Sequence, residues 1–167
     1  MKRILACCIV GATLLAAASV AFAATIQGTS ANEWEGHPAP LPPDCGTSDT
    51  GASLKGTANA DRIYGRDGCD YIVARGGKDY VEGNQQMDQI YGGSGPDNII
   101  GGPGHDHVWG DDGNDTINTT DGDEEGANIE EVHGGGGRDV CTVDDEAPAG
   151  PGGKKVSSCE KLTRLPL

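Results

Sequence analysis

From residue 61 onward one arrangement of polar and apolar positions returns every nine residues. Asp61, Asp70, Asp79, Asp88, Asp97, Asp106 and Asp115 share one register, and Ile63, Ile72, Val81, Ile90, Ile99, Val108 and Ile117 share another, two places later. Each aliphatic has its neighbours on the opposite side of the chain, as in a short strand with one face turned inward. Glycine-rich stretches separate these strands. The pattern predicts a three-residue strand and a six-residue turn per unit. One inward aliphatic cannot stabilise a unit alone, so the units must stack into a solenoid with a continuous ladder of Ile and Val.

Written out, the run from Gly56 to Asn118 is GTANADRIY, GRDGCDYIV, ARGGKDYVE, GNQQMDQIY, GGSGPDNII, GGPGHDHVW and GDDGNDTIN. Thr119 to Glu124 interrupt it. A weaker unit, EGANIEEVH, follows from Glu125 to His133, with Glu130 in the Asp place. GGGGRDVCT, Gly134 to Thr142, closes the array, with Asp139 in register and Cys141 in the aliphatic place. Ala74 replaces a first-place glycine. Asn59, Gln86 and Asn128 replace the glycine at the fourth place. Asn tolerates left-handed backbone angles, so Gln86 marks the weakest loop of the continuous run.

These units resemble the RTX, or haemolysin-type, calcium-binding nonapeptide G-G-x-G-x-D-x-U-x, where U is a large aliphatic. GGSGPDNII and GGPGHDHVW match every fixed place. The resemblance covers about half of the chain. It implies an all-β parallel β-roll in which two nonapeptides make one coil, so residues 18 apart lie above each other. Asp61, Asp79, Asp97 and Asp115 would then form one column, and Asp70, Asp88 and Asp106 the other. It also implies calcium between successive loops of a column. The implied ligands are Asp61, Asp70, Asp79, Asp88, Asp97, Asp106, Asp115 and Asp139, in loops shaped by Gly92, Gly93, Gly95, Gly101, Gly102, Gly104 and Gly110. The pairs Asp97 with Asp115, Asp79 with Asp97, and Asp88 with Asp106 carry the expectation best. Asp70 with Asp88 is weaker because of Gln86.

Electrostatics agrees with that implication. Carboxylates stacked at one strand spacing, about 4.8 Å, repel one another. A cation that accepts six to eight oxygen ligands in flexible geometry reverses the sign, and calcium suits this better than magnesium. Two other readings stay open at this level. The Asp residues could cap turns without metal, or the Gly/Asp stretch could be an unstructured linker. Asp rather than Asn at all seven places argues for the metal.

The amino terminus changes the compartment. Lys2 and Arg3 precede the apolar run ILACCIVGATLLAAASV, and AFA ends at Ala23. This predicts a signal peptide over 1–23, cleaved after Ala23, and hence a secreted, extracellular protein; an uncleaved anchor is the alternative. Without it, 10 Lys+Arg face 26 Asp+Glu, a net charge of −16. Such a chain repels nucleic acid and anionic lipid and attracts cations. We therefore expect calcium ions as ligands, a protein or cell-surface partner at most, no nucleic acid, and no stable membrane insertion. Four cysteines remain, Cys45, Cys69, Cys141 and Cys159. In an exported chain they suggest two disulfides. Three pairings exist, and sequence proximity favours Cys45–Cys69 with Cys141–Cys159.

The expected organisation is a signal peptide (1–23), an irregular amino-terminal cap (24–55), seven continuous repeats (56–118), an insertion (119–124), two further repeats (125–142) and a carboxy-terminal cap (143–167). No catalytic motif is present, and no segment remains to bury a catalytic domain, so an enzyme is not expected. His105 and His107 flank Asp106 and, with His133, invite a zinc reading; as loop and strand residues they should diverge. Val73, Tyr91 and Trp109 recur 18 apart, with Tyr71 and His107 beside them. They form either a partner face or cross-strand packing that stabilises a sheet. Functionally this leaves a calcium-dependent structural or interaction module. An accessory subunit of a co-secreted enzyme or toxin, or a surface adhesin, are the alternatives.

Overall fold

The computed structural model describes residues 24–27, 53–120, 131–144 and 155–165. The expected signal peptide, Cys45, and residues 121–130 of the insertion and weak repeat lie outside them. Thirteen strands follow in order: β1 (Thr25–Gln27), β2 (Ser53–Lys55), β3 (Arg62–Asp67), β4 (Tyr71–Val73), β5 (Tyr80–Gln85), β6 (Gln89–Ser94), β7 (Asn98–Ile100), β8 (His107–Asp112), β9 (Thr116–Asn118), β10 (Glu131–Gly136), β11 (Val140–Asp144), β12 (Lys155–Ser157) and β13 (Lys161–Leu165). The odd strands β1 to β13 make a seven-stranded sheet, and the even strands make a six-stranded one. The strand pairs are parallel throughout, as in β4 with β6 and β5 with β7. This is a parallel β-roll.

Register follows the sequence period. Tyr80 pairs with Asn98, and Asn98 with Thr116, steps of 18. Across the interruption Thr116 pairs with Val140 and His107 with Glu131, steps of 24 in both sheets. Six extra residues are therefore absorbed between β9 and β10 without disturbing either ladder.

The repeat strands send their central aliphatic inward. Ile63, Val81, Ile99, Ile117 and Cys141 from one sheet face Leu54, Ile72, Ile90, Val108 and Val132 from the other, in one buried cluster. Burying each large aliphatic contributes about 1.5–3 kcal/mol. Five strands (β3, β5, β6, β8 and β10) run six residues rather than three. The turns stack in the same register as the strands, so their backbones continue the ladder, as in Gly93 opposite Asp111.

Two strands lie in the amino-terminal segment. TIQ and SLK each place one apolar residue between two polar ones but carry no loop signature. β1 sits on the edge of β3, with Ile26 opposite Ile63. At the other end β12 and β13 each extend one sheet, with Val156 opposite Val132 and Leu162 opposite Cys141. A disulfide joins Cys141 to Cys159, with Cα atoms 5.9 Å apart. Cys69 is buried and disulfide-bonded; its expected partner, Cys45, is outside the described residues. Among the described residues no helix is long and apolar enough to cross a membrane.

Candidate metal centre

The residue just before each odd strand from β3 to β11 is an aspartate: Asp61, Asp79, Asp97, Asp115 and Asp139. Asp70, Asp88 and Asp106 precede β4, β6 and β8. All eight are buried, none more than 3 % exposed. Residues 18 apart in sequence meet, as the spacing predicts. Asp97 and Asp106, neighbours in sequence, serve opposite edges of the roll.

Within a column each carboxylate accepts a backbone N–H from the aspartate one coil earlier. Asp61, Asp79, Asp97 and Asp115 donate to Oδ1 of Asp79, Asp97, Asp115 and Asp139 at 2.7, 2.8, 2.9 and 2.9 Å. On the other edge Asp70 donates to Asp88 at 2.7 Å and Asp88 to Asp106 at 2.9 Å. The step from Asp115 to Asp139 spans the insertion with the same bond. Asp139 is thus a full member of its column.

Oδ1 is satisfied; Oδ2 is the exception. Oδ2 of Asp79, Asp97, Asp115 and Asp139 is buried and has no hydrogen-bond donor. A buried charged oxygen without a partner is costly, and native structures rarely leave one. Its surroundings are oxygen-rich. A Cβ built on Gly92 would lie 2.8 Å from Asp97 Oδ2 and 2.7 Å from the Gly110 carbonyl oxygen of the next coil. At Gly110 the corresponding atoms are Asp115 Oδ2 at 2.5 Å and the Gly134 carbonyl oxygen at 2.4 Å. The first glycine of the motif is therefore there to make room for the carboxylate, which the sequence does not reveal. The fourth glycine has a different reason. Gly95 has φ of 114°, and a Cβ on it would lie 1.7 Å from the Gly77 carbonyl oxygen below.

The second place of the motif is left-handed as well. Arg66, Arg75, Asn84 and Asp111 occupy it with φ between 68° and 85°, and Gln86 holds the fourth place at 76°. Sequence reasoning singled out only Gln86. Its loop closes nonetheless, with Gln86 N donating to the Pro103 carbonyl at 2.8 Å.

Burial pushes these carboxyls up. Asp97 is raised from 3.8 to about 7, first by burial and further by the charges of Asp79, Asp115 and Asp111, while its backbone hydrogen bond opposes the shift. Asp79 and Asp115 rise to about 6, again chiefly through burial. Without a cation these three carboxyls keep their protons to a higher pH than an exposed aspartate does.

Asp61 differs. Its Oδ2 accepts the Thr57 N–H at 2.5 Å, and its Oδ1 accepts from Ala24 N at 2.8 Å and Thr57 Oγ1 at 3.2 Å. Both oxygens are engaged, so Asp61 closes the column as a cap.

Among the described residues no three His, Cys, Asp or Glu side chains form a group that could hold a metal ion by themselves. The zinc reading of His105, His107 and His133 therefore finds no cluster there, and an ion in the columns would draw on carboxylate pairs plus backbone carbonyls. Val73, Tyr91 and Trp109 do align, on the outer face of the six-stranded sheet. Tyr91 stacks on Trp109 with centroids 4.6 Å apart and planes 5° apart, and Trp109 stacks on His133 at 5.8 Å and 7°. Glu131 lies between two histidines, 3.4 Å from His107 Nδ1 and 3.3 Å from His133 Nε2. His133 Nδ1 bonds Ser157 Oγ.

The fold and the site together define a parallel β-roll solenoid with buried, oxygen-lined carboxylate loops between its coils. Residues 55–90 and 91–123 match the family model of the RTX calcium-binding nonapeptide repeat, which supports a calcium-binding β-roll module. Searches of curated proteins and of solved structures found no match.

Proposed function

We propose that the protein is an exported module whose folding is coupled to calcium and which has no catalysis of its own. The observation that carries this is the row of donorless buried Oδ2 atoms on Asp79, Asp97, Asp115 and Asp139. Those residues fit a hard divalent cation: the oxygens are anionic or carbonyl, and Gly92, Gly110 and Gly134 leave room beside Asp97, Asp115 and Asp139, while Ala74 takes that place beside Asp79. When bound, calcium supplies the positive charge that lets stacked carboxylates stay ionised. Asp79, Asp97, Asp115 and Asp139 would hold it on one edge, and Asp70, Asp88 and Asp106 on the other. Binding of this kind is folding energy, because the unfolded chain has no preformed site. Extracellular calcium modules work at dissociation constants of roughly 10⁻⁴ to 10⁻³ M. Export is supported by the amino-terminal sequence and by the typically extracellular setting of RTX repeat proteins.

We read the Val73, Tyr91 and Trp109 column as packing that stiffens the six-stranded sheet. The ring faces of Tyr91, Trp109 and His133 are turned to one another. The deciding experiment is a calcium titration of the full chain, followed by circular dichroism and calorimetry. β signal should grow with calcium and reverse with chelator, while magnesium substitutes poorly. Identical spectra in calcium and chelator would sink the proposal.

A further inference from the structure

The cradle beside each repeat carboxylate recurs once more, beyond the repeats. Gly134 stands opposite the residue after β12, because His133 pairs with Ser157. A Cβ on Gly134 would lie 2.5 Å from Asp139 Oδ2 and 2.2 Å from the Ser158 carbonyl oxygen. The same pairing of atoms occurs at Gly92 and Gly110, where the carbonyl belongs to a repeat glycine. Here it comes from a three-residue turn, Ser158 to Glu160, between β12 and β13. Ser158 takes a left-handed φ of 57° there. Asp139 is fully buried, and its Oδ2 has no donor. A carboxylate oxygen facing a carbonyl oxygen, with no hydrogen between them, calls for a cation.

We propose that Asp139 and the Ser158 carbonyl form a terminal cation site whose outer wall is the carboxy-terminal turn, held in place by the Cys141–Cys159 disulfide. The inference rests on the calcium reading above and adds to it a site that the repeat motif does not encode. The turn is fixed from three sides: by the disulfide, by Lys161 N donating to the Asp139 carbonyl at 3.1 Å, and by β12 on β10. Glu160 occupies the register place of the next aspartate, opposite Asp139, but its carboxylate turns out to Arg138 at 3.1 Å. The terminal site thus has one carboxylate where a site between repeats has two. Fewer charged ligands mean weaker calcium binding, so this site fills last.

The test is a calorimetric titration of the full chain with calcium ions, with stoichiometry. In the pair C141V with C159S, valine restores an aliphatic rung and only the tether is lost. This variant should lose the weakest ion, or bind it at least tenfold more weakly, with the other ions within twofold. Asp139→Asn should lower the stoichiometry, and removing the tether in that background should change nothing more. The proposal is overturned if the untethered protein titrates like the native one, or if the tether matters equally with and without Asp139. It also falls if Asp139→Asn keeps the native number of ions, a result that stands whether or not the untethered variant folds. No calcium uptake by the native protein would overturn the underlying calcium reading itself, which separates the two failures.

Discussion

Along one edge of the roll Asp61, Asp79, Asp97, Asp115 and Asp139 continue across the insertion, joined by the same backbone-to-carboxylate bond at each step. Along the other edge the described aspartates are Asp70, Asp88 and Asp106, and the next register place in sequence is Glu130. The six-stranded sheet is stitched across the same break from outside, by Trp109 stacked on His133 and by Glu131 between two histidines. One edge thus carries its column of buried carboxylates across the interruption. The other sheet crosses it on its outer face, by ring stacking and by the contact of Glu131 with two histidines. These two ways of crossing the break should respond differently to calcium, protons and mutation.

The largest effect should be calcium removal at pH 8, with loss of most β signal. Its pH dependence has a definite sign. The folded carboxyls of Asp79, Asp97 and Asp115 are raised from 3.8 to between about 6 and about 7. A raised carboxyl favours folding below its unfolded value, and that stability is lost as pH climbs through the folded value. In chelator the protein should therefore melt higher near pH 4 than at pH 8. In saturating calcium the trend should flatten or reverse, since protons and calcium compete for the same oxygens. Thermal melts across pH 4–8, with and without calcium, give the answer; an apo protein more stable at pH 8 contradicts the burial argument.

Next in size is Asp97→Asn. Asp97 borders two inter-loop positions, and one site at 100-fold its dissociation constant contributes about 2.7 kcal/mol. We expect a loss of about 3–5 kcal/mol in calcium and no loss, or a gain, in chelator, where the substitution removes repulsion. Asp61→Asn is the matched control at the capped end. Its oxygens serve Thr57 and Ala24, so it should cost about 1 kcal/mol with or without calcium. Equal calcium dependence of the two variants would erase the distinction between cap and site. Denaturant midpoints in both buffers measure it.

Much of this was legible in the sequence because two periodicities coincide. The nine-residue spacing identifies Ile99 as an inward residue and Asp97 as a loop carboxylate, and the coil of 18 names Asp79 and Asp115 as companions of Asp97. What stayed hidden is three-dimensional. Gly92 is needed for clearance around Asp97 Oδ2, a contact between places one and six that spacing cannot show. Both oxygens of Asp61 take donors from Thr57 and Ala24, contacts that its place in the register does not announce. β1 has a single aliphatic, Ile26, and joins the roll 37 residues ahead of its partner Ile63. The alignment of Val73, Tyr91 and Trp109 was visible, but ring orientation, which decides between docking face and packing, was not.

The aromatic stack gives the third effect. Trp109→Ser removes three ring contacts, stacked ones with Tyr91 and His133 and a tilted one with His107. At roughly 0.5–1.5 kcal/mol per aromatic pair, the two stacked pairs alone should cost about 1–3 kcal/mol. The loss should be similar in calcium and in a moderately stabilising low-pH chelator buffer, because no carboxylate is touched. A loss confined to calcium would place the stack within the metal-dependent half and dissolve the comparison.

The smallest effect lies in a loop of the second edge. Gln86 holds a left-handed backbone, with φ of 76°, that costs a side-chain-bearing residue roughly 1–2 kcal/mol. Glycine removes that strain but returns about 0.5–1 kcal/mol through the freedom of the unfolded chain. Gln86→Gly should therefore stabilise the protein by about 0.5–1 kcal/mol in calcium, read as a higher denaturation midpoint. The mirror substitution on the first edge, Gly95→Gln, should be strongly destabilising. It adds the same backbone strain and drives a Cβ to within 1.7 Å of the Gly77 carbonyl oxygen. The two edges share a loop shape, but a coil that carries Gly77 and Gly95 directly above one another has no room for a side chain. If Gly95→Gln is tolerated as Gln86 is, stacking distance rather than backbone angle ceases to explain why the fourth place is glycine.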